Sequence, residues 1–113
     1  MRDIKFRAWY LTEERYYYFT LSEYANDYSI RYKVQNSDKE LYTGLKDKTG
    51  KEIYEGDIVE FSKGIGQIIY SGGEYSIEYN NDLFNLGFHH HNNEIKIVGN
   101  IYENPELLKE KVM

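Results

Sequence analysis

The segment Leu41–Phe61, LYTGLKDKTGKEIYEGDIVEF, constrains the fold of this chain more than any other stretch. Its polar run Lys46–Lys51 has no large apolar side chain that could enter a core. Gly50 can adopt a positive φ without a Cβ clash, and the carboxylate of Asp47 can bond back to the backbone. The run therefore predicts a tight, solvent-exposed turn.

A second turn is expected a few residues later, at Glu55–Asp57. We expect the carboxylate of Asp57 to cap this turn. Ile58, Val59 and Phe61 then begin a β-branched and aromatic strand. A turn of this type followed by a strand is common at the mouth of small β-barrels, where it sets the angle of strand entry.

Alternating apolar and polar residues predict half-buried strands at 4–8, 28–34 and 75–79. Short strands separated by frequent turns follow residue 58, a pattern typical of a small barrel. Asn104 and Pro105 provide an N-cap residue and a proline at the first helical position, so a short carboxyl-terminal helix is expected. The predicted fold class is mainly β (α+β).

Composition indicates one globular domain over residues 1–113, with a tyrosine-rich region at 1–40 and a barrel region at 41–113. Hydrophobic residues make up 41% of the chain and cysteine is lacking, which excludes disulfides and thiolate chemistry. The first residues lack the apolar core of a signal peptide, and no apolar stretch reaches the roughly 20 residues of a membrane helix. A cytoplasmic protein is expected, without membrane contact.

Charge is unevenly distributed along the chain. Residues 1–40 hold seven basic and seven acidic side chains, whereas residues 41–113 hold seven and twelve, which accounts for the net charge of −5. Most non-specific affinity for nucleic acids comes from neutralising phosphates with basic side chains. Nucleic-acid binding by the acidic half is therefore unfavourable.

The motifs of common enzyme classes do not occur: the sequence has no G-x-S-x-G, Walker A, H-E-x-x-H or dinucleotide fingerprint. We expect neither catalysis nor a cofactor, and the sequence gives little support to a third alternative, a small metal-dependent hydrolase. His89 and His91 could share a strand face, with Asp82 or Glu94 as a third metal ligand. Adjacent histidines lack the spacing of a closed zinc site, and the following asparagines indicate an exposed loop, so no metal site is predicted.

Two groups near the amino end are candidate binding residues. Arg7 and Trp9 alternate onto one face of the first strand, where they could stack a base or grip a phosphate. The simpler interpretation is that Trp9 covers an edge and Arg7 pairs with an acid. Tyr16, Tyr17 and Tyr18 cannot all point inward from one strand, so at least one ring is expected to face water or a partner.

The chain resembles the YopX-like proteins of bacteriophages and prophages in three separated segments. These segments are Ile4–Trp9, Tyr42–Val59 and Val98–Leu108. Their order fits that family from end to end, and the middle segment is long and specific. Glu13–Asn36 and Asn85–Asn93 depart from the family pattern.

The resemblance implies a small strand-rich α+β region followed by an SH3-like barrel, in the cytoplasm of an infected or lysogenic bacterium. It implies no established activity, so no catalytic residue can be carried over. We expect a non-catalytic module that self-associates as a homo-oligomer or binds a phage or host protein. The alternative is a nucleic-acid-associated SH3-like module using Arg7, Trp9, Arg31 and Lys33.

The charge distribution gives the first testable prediction. At physiological salt the protein should bind nucleic acids weakly or not at all, because its excess negative charge repels phosphates. Fluorescence-polarisation titrations with single- and double-stranded oligonucleotides check this. Submicromolar binding that survives added salt would contradict it.

Overall fold

The computed structural model of the protein describes residues 3–108. These residues form two compact units that divide between Tyr42 and Thr43. We call residues 3–42 the first unit and residues 43–108 the second unit. Strands make up 48% of the described residues and helices 22%, so the predicted mainly β class is confirmed.

The first unit is a small antiparallel sheet covered on one face by two short helices. Strand β1 lies between β2 and β3, with Phe6 opposite Phe19 on one side and Leu41 on the other. Ala8, Phe19 and Val34 form the buried centre between sheet and helices. The elements in chain order are β1 (Lys5–Tyr10), β2 (Arg15–Thr20), α1 (Leu21–Asn26), α2 (Tyr28–Val34) and β3 (Lys39–Lys46), whose end continues into the second unit.

The strand predicted at 28–34 is wrong, because this segment forms helix α2. Its alternating apolar positions also contain two pairs spaced four residues apart, which share a face in a helix. Ile30 and Val34 pack inward, and Tyr28 and Tyr32 form the other pair. The carboxylate of Asp27 accepts a hydrogen bond from the Ser29 N–H at 3.0 Å and caps the helix start.

Helix α1 begins with a capping box. The Thr20 hydroxyl accepts a hydrogen bond from the Glu23 N–H at 3.1 Å, and the Glu23 carboxylate accepts one from the Thr20 N–H at 2.9 Å. Two backbone donors at the helix start are therefore satisfied by the sequence pattern Thr-x-x-Glu.

The second unit has the strand order of an SH3-like barrel, as predicted. Strands β5 to β8 form an antiparallel meander, and β9 returns to pair beside β5. The register shifts between Ile58 and Val59, which marks a bulge in β5. The elements are β4 (Glu52–Tyr54), β5 (Asp57–Phe61), β6 (Gly64–Ser71), β7 (Glu74–Tyr79), β8 (Asp82–Asn85), α3 (Leu86–His91), β9 (Lys96–Asn100) and a 3-10 turn (Pro105–Leu108).

The core of the second unit is aliphatic with one aromatic ring. Within this unit, the end of β3 lies beside β4, where the Thr43 hydroxyl donates a hydrogen bond to the Ile53 carbonyl at 2.8 Å. The buried core side chains are Ile53, Val59, Phe61, Ile68, Ile77, Leu86 and Ile95.

The predicted carboxyl-terminal helix is present as the 3-10 turn at Pro105–Leu108, which packs against β6. Asn104 does not cap the turn with its side chain, because its Oδ1 accepts a hydrogen bond from the Asn100 N–H at 3.2 Å. Any continuation of the helix lies outside the described residues. Among residues 3–108, every helix is too short or too polar to cross a membrane.

Candidate interaction surface

The polar turn that stood out in the sequence is built around one buried carboxylate. Asp47 is 6% exposed, and its Oδ1 accepts hydrogen bonds from the Thr49 N–H at 2.9 Å, the Lys51 N–H at 3.0 Å and the Thr49 hydroxyl at 2.7 Å. Its Oδ2 accepts a hydrogen bond from the Ile97 N–H at 2.9 Å. One side chain therefore closes the turn and ties it to β9.

Burial alone would raise the pKa of Asp47, but the hydrogen bonds from Ile97, Thr49 and Lys51 outweigh it and hold the pKa below its usual value. The carboxylate is therefore ionised at neutral pH and saturated by donors of its own fold. The hydrogen-bonding capacity of this carboxylate is used to hold the turn against β9.

The second turn of the same segment is also structural. Asp57 is buried, and its Oδ2 accepts a hydrogen bond from the Tyr54 N–H at 2.8 Å, which caps the turn. Gly56, at φ +85°, donates its N–H to the Ile68 carbonyl at 2.9 Å and accepts from the Ile101 N–H at 3.0 Å. A side chain at this position would be strained, because L residues rarely adopt this φ.

The histidines lie on helix α3, so their expected position in an exposed loop is wrong. The side chain of Asn85 caps the helix by accepting a hydrogen bond from the Phe88 N–H at 2.7 Å. Residues two apart point to different sides of a helix, so His89 and His91 do not share a face. Among residues 3–108, no group of three or more histidine and acidic side chains is placed to hold a metal ion.

His89 is a core residue, 7% exposed, with its Nδ1 at 3.2 Å from Oε1 of Glu94. Three phenylalanine rings surround it, with centroids at 5.2 Å (Phe61), 6.1 Å (Phe84) and 5.0 Å (Phe88). This environment explains why the first residue of the polar run His89–Glu94 is buried.

A serine lies near this pair, but the order of the three groups does not suit nucleophilic catalysis. The Ser62 N–H donates to Oε1 of Glu94 at 3.3 Å, so the carboxylate stands between the serine and His89. Hydrogen bonding to Ser62 holds the pKa of Glu94 below its usual value against the effect of burial, and His89 adds to it. An activated serine needs the histidine, rather than the carboxylate, as its neighbour.

Arg7 and Trp9 share one face of β1, as the alternation predicted. Arg7 is only 4% exposed, with its Nε at 2.8 Å from Oε1 of Glu40 and its guanidinium 4.0 Å from the centre of the Tyr16 ring. Trp9 meets the same ring edge-on at 5.2 Å. The arginine therefore pairs with an acid inside the first unit.

The three consecutive tyrosines divide between the two faces of β2. Tyr16 and Tyr18 lie opposite Trp9 and Arg7 in the register, whereas Tyr17 packs towards the core beside Phe19. Tyr18 is the outward ring, 59% exposed. Of the five predicted binding residues, the structure brings Arg7, Trp9, Tyr16 and Tyr18 onto one face and places Tyr17 on the other.

Tyr17 is held by several neighbours. Its hydroxyl donates to Oε1 of Glu13 at 2.7 Å, and the charged groups of Arg15 and Lys33 lie 4.6 Å and 4.7 Å from its ring centre. The ring is therefore part of the folded first unit.

Exposed apolar side chains concentrate in the first unit. Helix α2 presents Tyr28 and Tyr32, 70% and 61% exposed, one turn apart with ring centroids separated by 6.3 Å. The strand predicted at 28–34 would place both rings on its buried face, so it gave no indication of this exposed pair. Among described residues, the large exposed hydrophobic side chains of the first unit are Ile4, Leu11, Tyr18, Leu21, Tyr28 and Tyr32; those of the second are Tyr70, Leu83, Phe88 and Tyr102.

Cations of the first unit interact mainly with the unit itself. Nη1 of Arg31 donates to the Ala25 carbonyl at 2.8 Å, near the end of α1. Nζ of Lys39 donates to the carbonyls of Val34 at 2.8 Å and Ser37 at 3.1 Å, near the end of α2. Both cations therefore stabilise helix ends.

Comparison with known proteins agrees with this architecture. A model of the YopX protein family matches residues 5–109. The chain is also similar to the crystal structure of protein EF1440 from Enterococcus faecalis, at 24% identity and a TM-score of 0.63, over 93% of this chain and 97% of that one. A search of curated proteins gave no significant match. At this identity the structural likeness shows the fold.

The Asp47 carboxylate gives a stability prediction. Asp47→Asn should lower the free energy of unfolding at pH 7 by about 1–3 kcal/mol, because an amide nitrogen cannot accept the backbone donors that one oxygen now serves. Urea denaturation followed by circular dichroism measures this. Asp82→Asn, at the exposed start of β8, is the matched control and should change little.

The same pair of variants has a predicted pH dependence. Since the pKa of Asp47 is lower in the folded state than its usual value near 3.8, its stabilising effect is present above that value. It should fade as the pH falls below about 4, so parent and Asp47→Asn should converge in acid. A difference in stability that does not depend on pH would contradict this role for the carboxylate.

Proposed function

We propose that this chain, which belongs to the YopX protein family, is a non-catalytic phage or prophage accessory protein that binds other protein surfaces, first of all a second copy of itself, through its first unit. The observation that carries the proposal is the concentration of exposed aromatic and aliphatic side chains in residues 3–42. Tyrosine is enriched at protein interfaces because it supplies a large contact area at low entropy cost.

Electrostatics supports the choice of the first unit. Residues 1–40 carry no net charge, whereas residues 41–113 carry the full net charge of −5. Two copies that meet through the neutral region avoid the repulsion between their acidic regions. Each exposed ring that becomes buried contributes roughly 25 cal/mol per Å² of apolar area before the costs of association.

The proposal that the protein is not an enzyme has separate support. The buried carboxylates of Asp47 and Asp57 are occupied by backbone donors, and the carboxylate of Glu94 separates Ser62 from His89. We therefore infer that these three carboxylates stabilise the fold and do not take part in catalysis.

The geometry favours protein over nucleic acid as the partner. Arg7 is buried beside Glu40, so its charge is balanced within the chain. Arg31 and Lys33 are occupied with backbone carbonyls and the Tyr17 ring. A phosphate contact through these side chains would have to displace those interactions.

Self-association is tested by sedimentation equilibrium or light scattering at micromolar concentration. The parent should be an oligomer, and at least one of Tyr18→Glu, Tyr28→Glu and Tyr32→Glu should dissociate it while the circular dichroism spectrum stays unchanged. These positions are preferred to Tyr17, whose ring packs against the core of the first unit.

Tyr70→Glu is the matched control, since this ring is similarly exposed at the end of β6 in the second unit. It should leave the oligomer intact. A monomeric parent would refute self-association, and an oligomer that only Tyr70→Glu dissociates would place the interface in the second unit.

A further inference from the structure

The first unit contains an apolar cleft at the open end of the β1–β2 hairpin. This end is opposite the loop that joins β1 to β2. The cleft has a volume of about 270 Å³ and is lined by Phe6, Phe19, Leu21, Tyr24 and the stem of Lys39. Pockets that hold drug-sized ligands start at roughly 300 Å³, so this cleft suits one or two apolar side chains better than a small molecule.

The opposite end of the same hairpin presents a matching group. Leu11 begins the loop between β1 and β2 and is 77% exposed. Backbone hydrogen bonds from the Glu13 N–H to the Tyr10 carbonyl and from the Glu14 N–H to the Leu11 carbonyl, both 3.2 Å, make the loop a tight turn. An apolar side chain on an ordered turn loses little conformational freedom when it binds.

We infer that the cleft receives Leu11 of a second copy of this chain, in a two-fold pair in which the hairpins lie antiparallel. The inference deepens the proposed self-association and depends on it. Strand β2 spans six residues, or roughly 20 Å, between the loop and the cleft. A two-fold axis near its middle brings each Leu11 to the other copy's cleft at once, so the pair closes and does not extend into a fibre.

Charge is consistent with this pairing. Lys39 is the only charged side chain among those that line the cleft, and Glu13 and Glu14 follow Leu11 in the loop. Asp3 and Glu23 lie beside Leu21, but their carboxylates accept hydrogen bonds from backbone N–H groups at the start of α1. The carboxylate of Glu13 already accepts a hydrogen bond from the Tyr17 hydroxyl and lies 3.4 Å from Nε of Arg15. The incoming loop therefore brings Glu14 towards an apolar surface whose one lining charge, on Lys39, is positive.

The direct test is a disulfide cross-link in a double variant, Leu11→Cys with Leu21→Cys. The natural chain has no cysteine, and the two positions lie at opposite ends of one hairpin, beyond the roughly 7 Å of Cα separation that a disulfide spans. Mild oxidation should give a covalent dimer, and peptide mass spectrometry should find position 11 joined to position 21. The control pair, Leu11→Cys with Leu83→Cys, should cross-link far less.

A second measurement uses the affinity of the pair. Leu11→Asp should raise the dissociation constant by about 100-fold, since each pair loses two buried leucine side chains. Thr12→Asp, in the same exposed loop, should change it only slightly. Both changes lie at exposed positions, so folding should be retained.

The outcomes separate this inference from the proposal on which it depends. If the parent self-associates but the 11–21 link does not form and Leu11→Asp has no effect, the inference is overturned while self-association stands. If the parent is monomeric, both fail, and the cleft is left to another occupant.

Discussion

The barrel of the second unit depends on placing one ionised carboxylate where it is almost out of contact with water. Removing Asp47 from water is costly, and only a full set of donors offsets this cost. The turn supplies donors from Thr49 and Lys51, and β9 supplies the Ile97 N–H. Because β9 is the strand that returns beside β5, the same carboxylate links the entry of the barrel to its closing strand.

The features predicted well from sequence are those that local chemistry determines. Gly50 and Asp47 determine their turn, Asp57 caps the next, and a strand follows at Asp57–Phe61 as expected. The helix at 28–34 was missed because an alternating pattern seven residues long also fits helical spacing, and the cap at Asp27 decides between the two. The burial of His89 was missed because it depends in part on Phe61, which is distant in sequence.

The same distinction applies to function. The segment most like a motif, around Asp47 and Asp57, is a folding element whose polar groups are used internally. Among described residues, four of the ten large exposed hydrophobic side chains instead lie within Glu13–Asn36, outside the three segments that carry the family resemblance. A surface formed by Tyr28 and Tyr32 on one helix carries no short motif, since it depends on helix geometry that single-sequence periodicity left ambiguous. Membership of the family therefore accounts for the scaffold, and in our proposal this separate surface selects the partner.

Hydrogen–deuterium exchange at two protein concentrations tests this separation of scaffold and surface most directly. Amides in residues 3–42 should become more protected as concentration rises and copies associate. Amides that donate to the Asp47 carboxylate, such as those of Lys51 in the turn and Ile97 in β9, should be strongly protected at both concentrations because their bonds lie within one chain. Concentration-dependent protection around Asp47, with none in residues 3–42, would contradict the account.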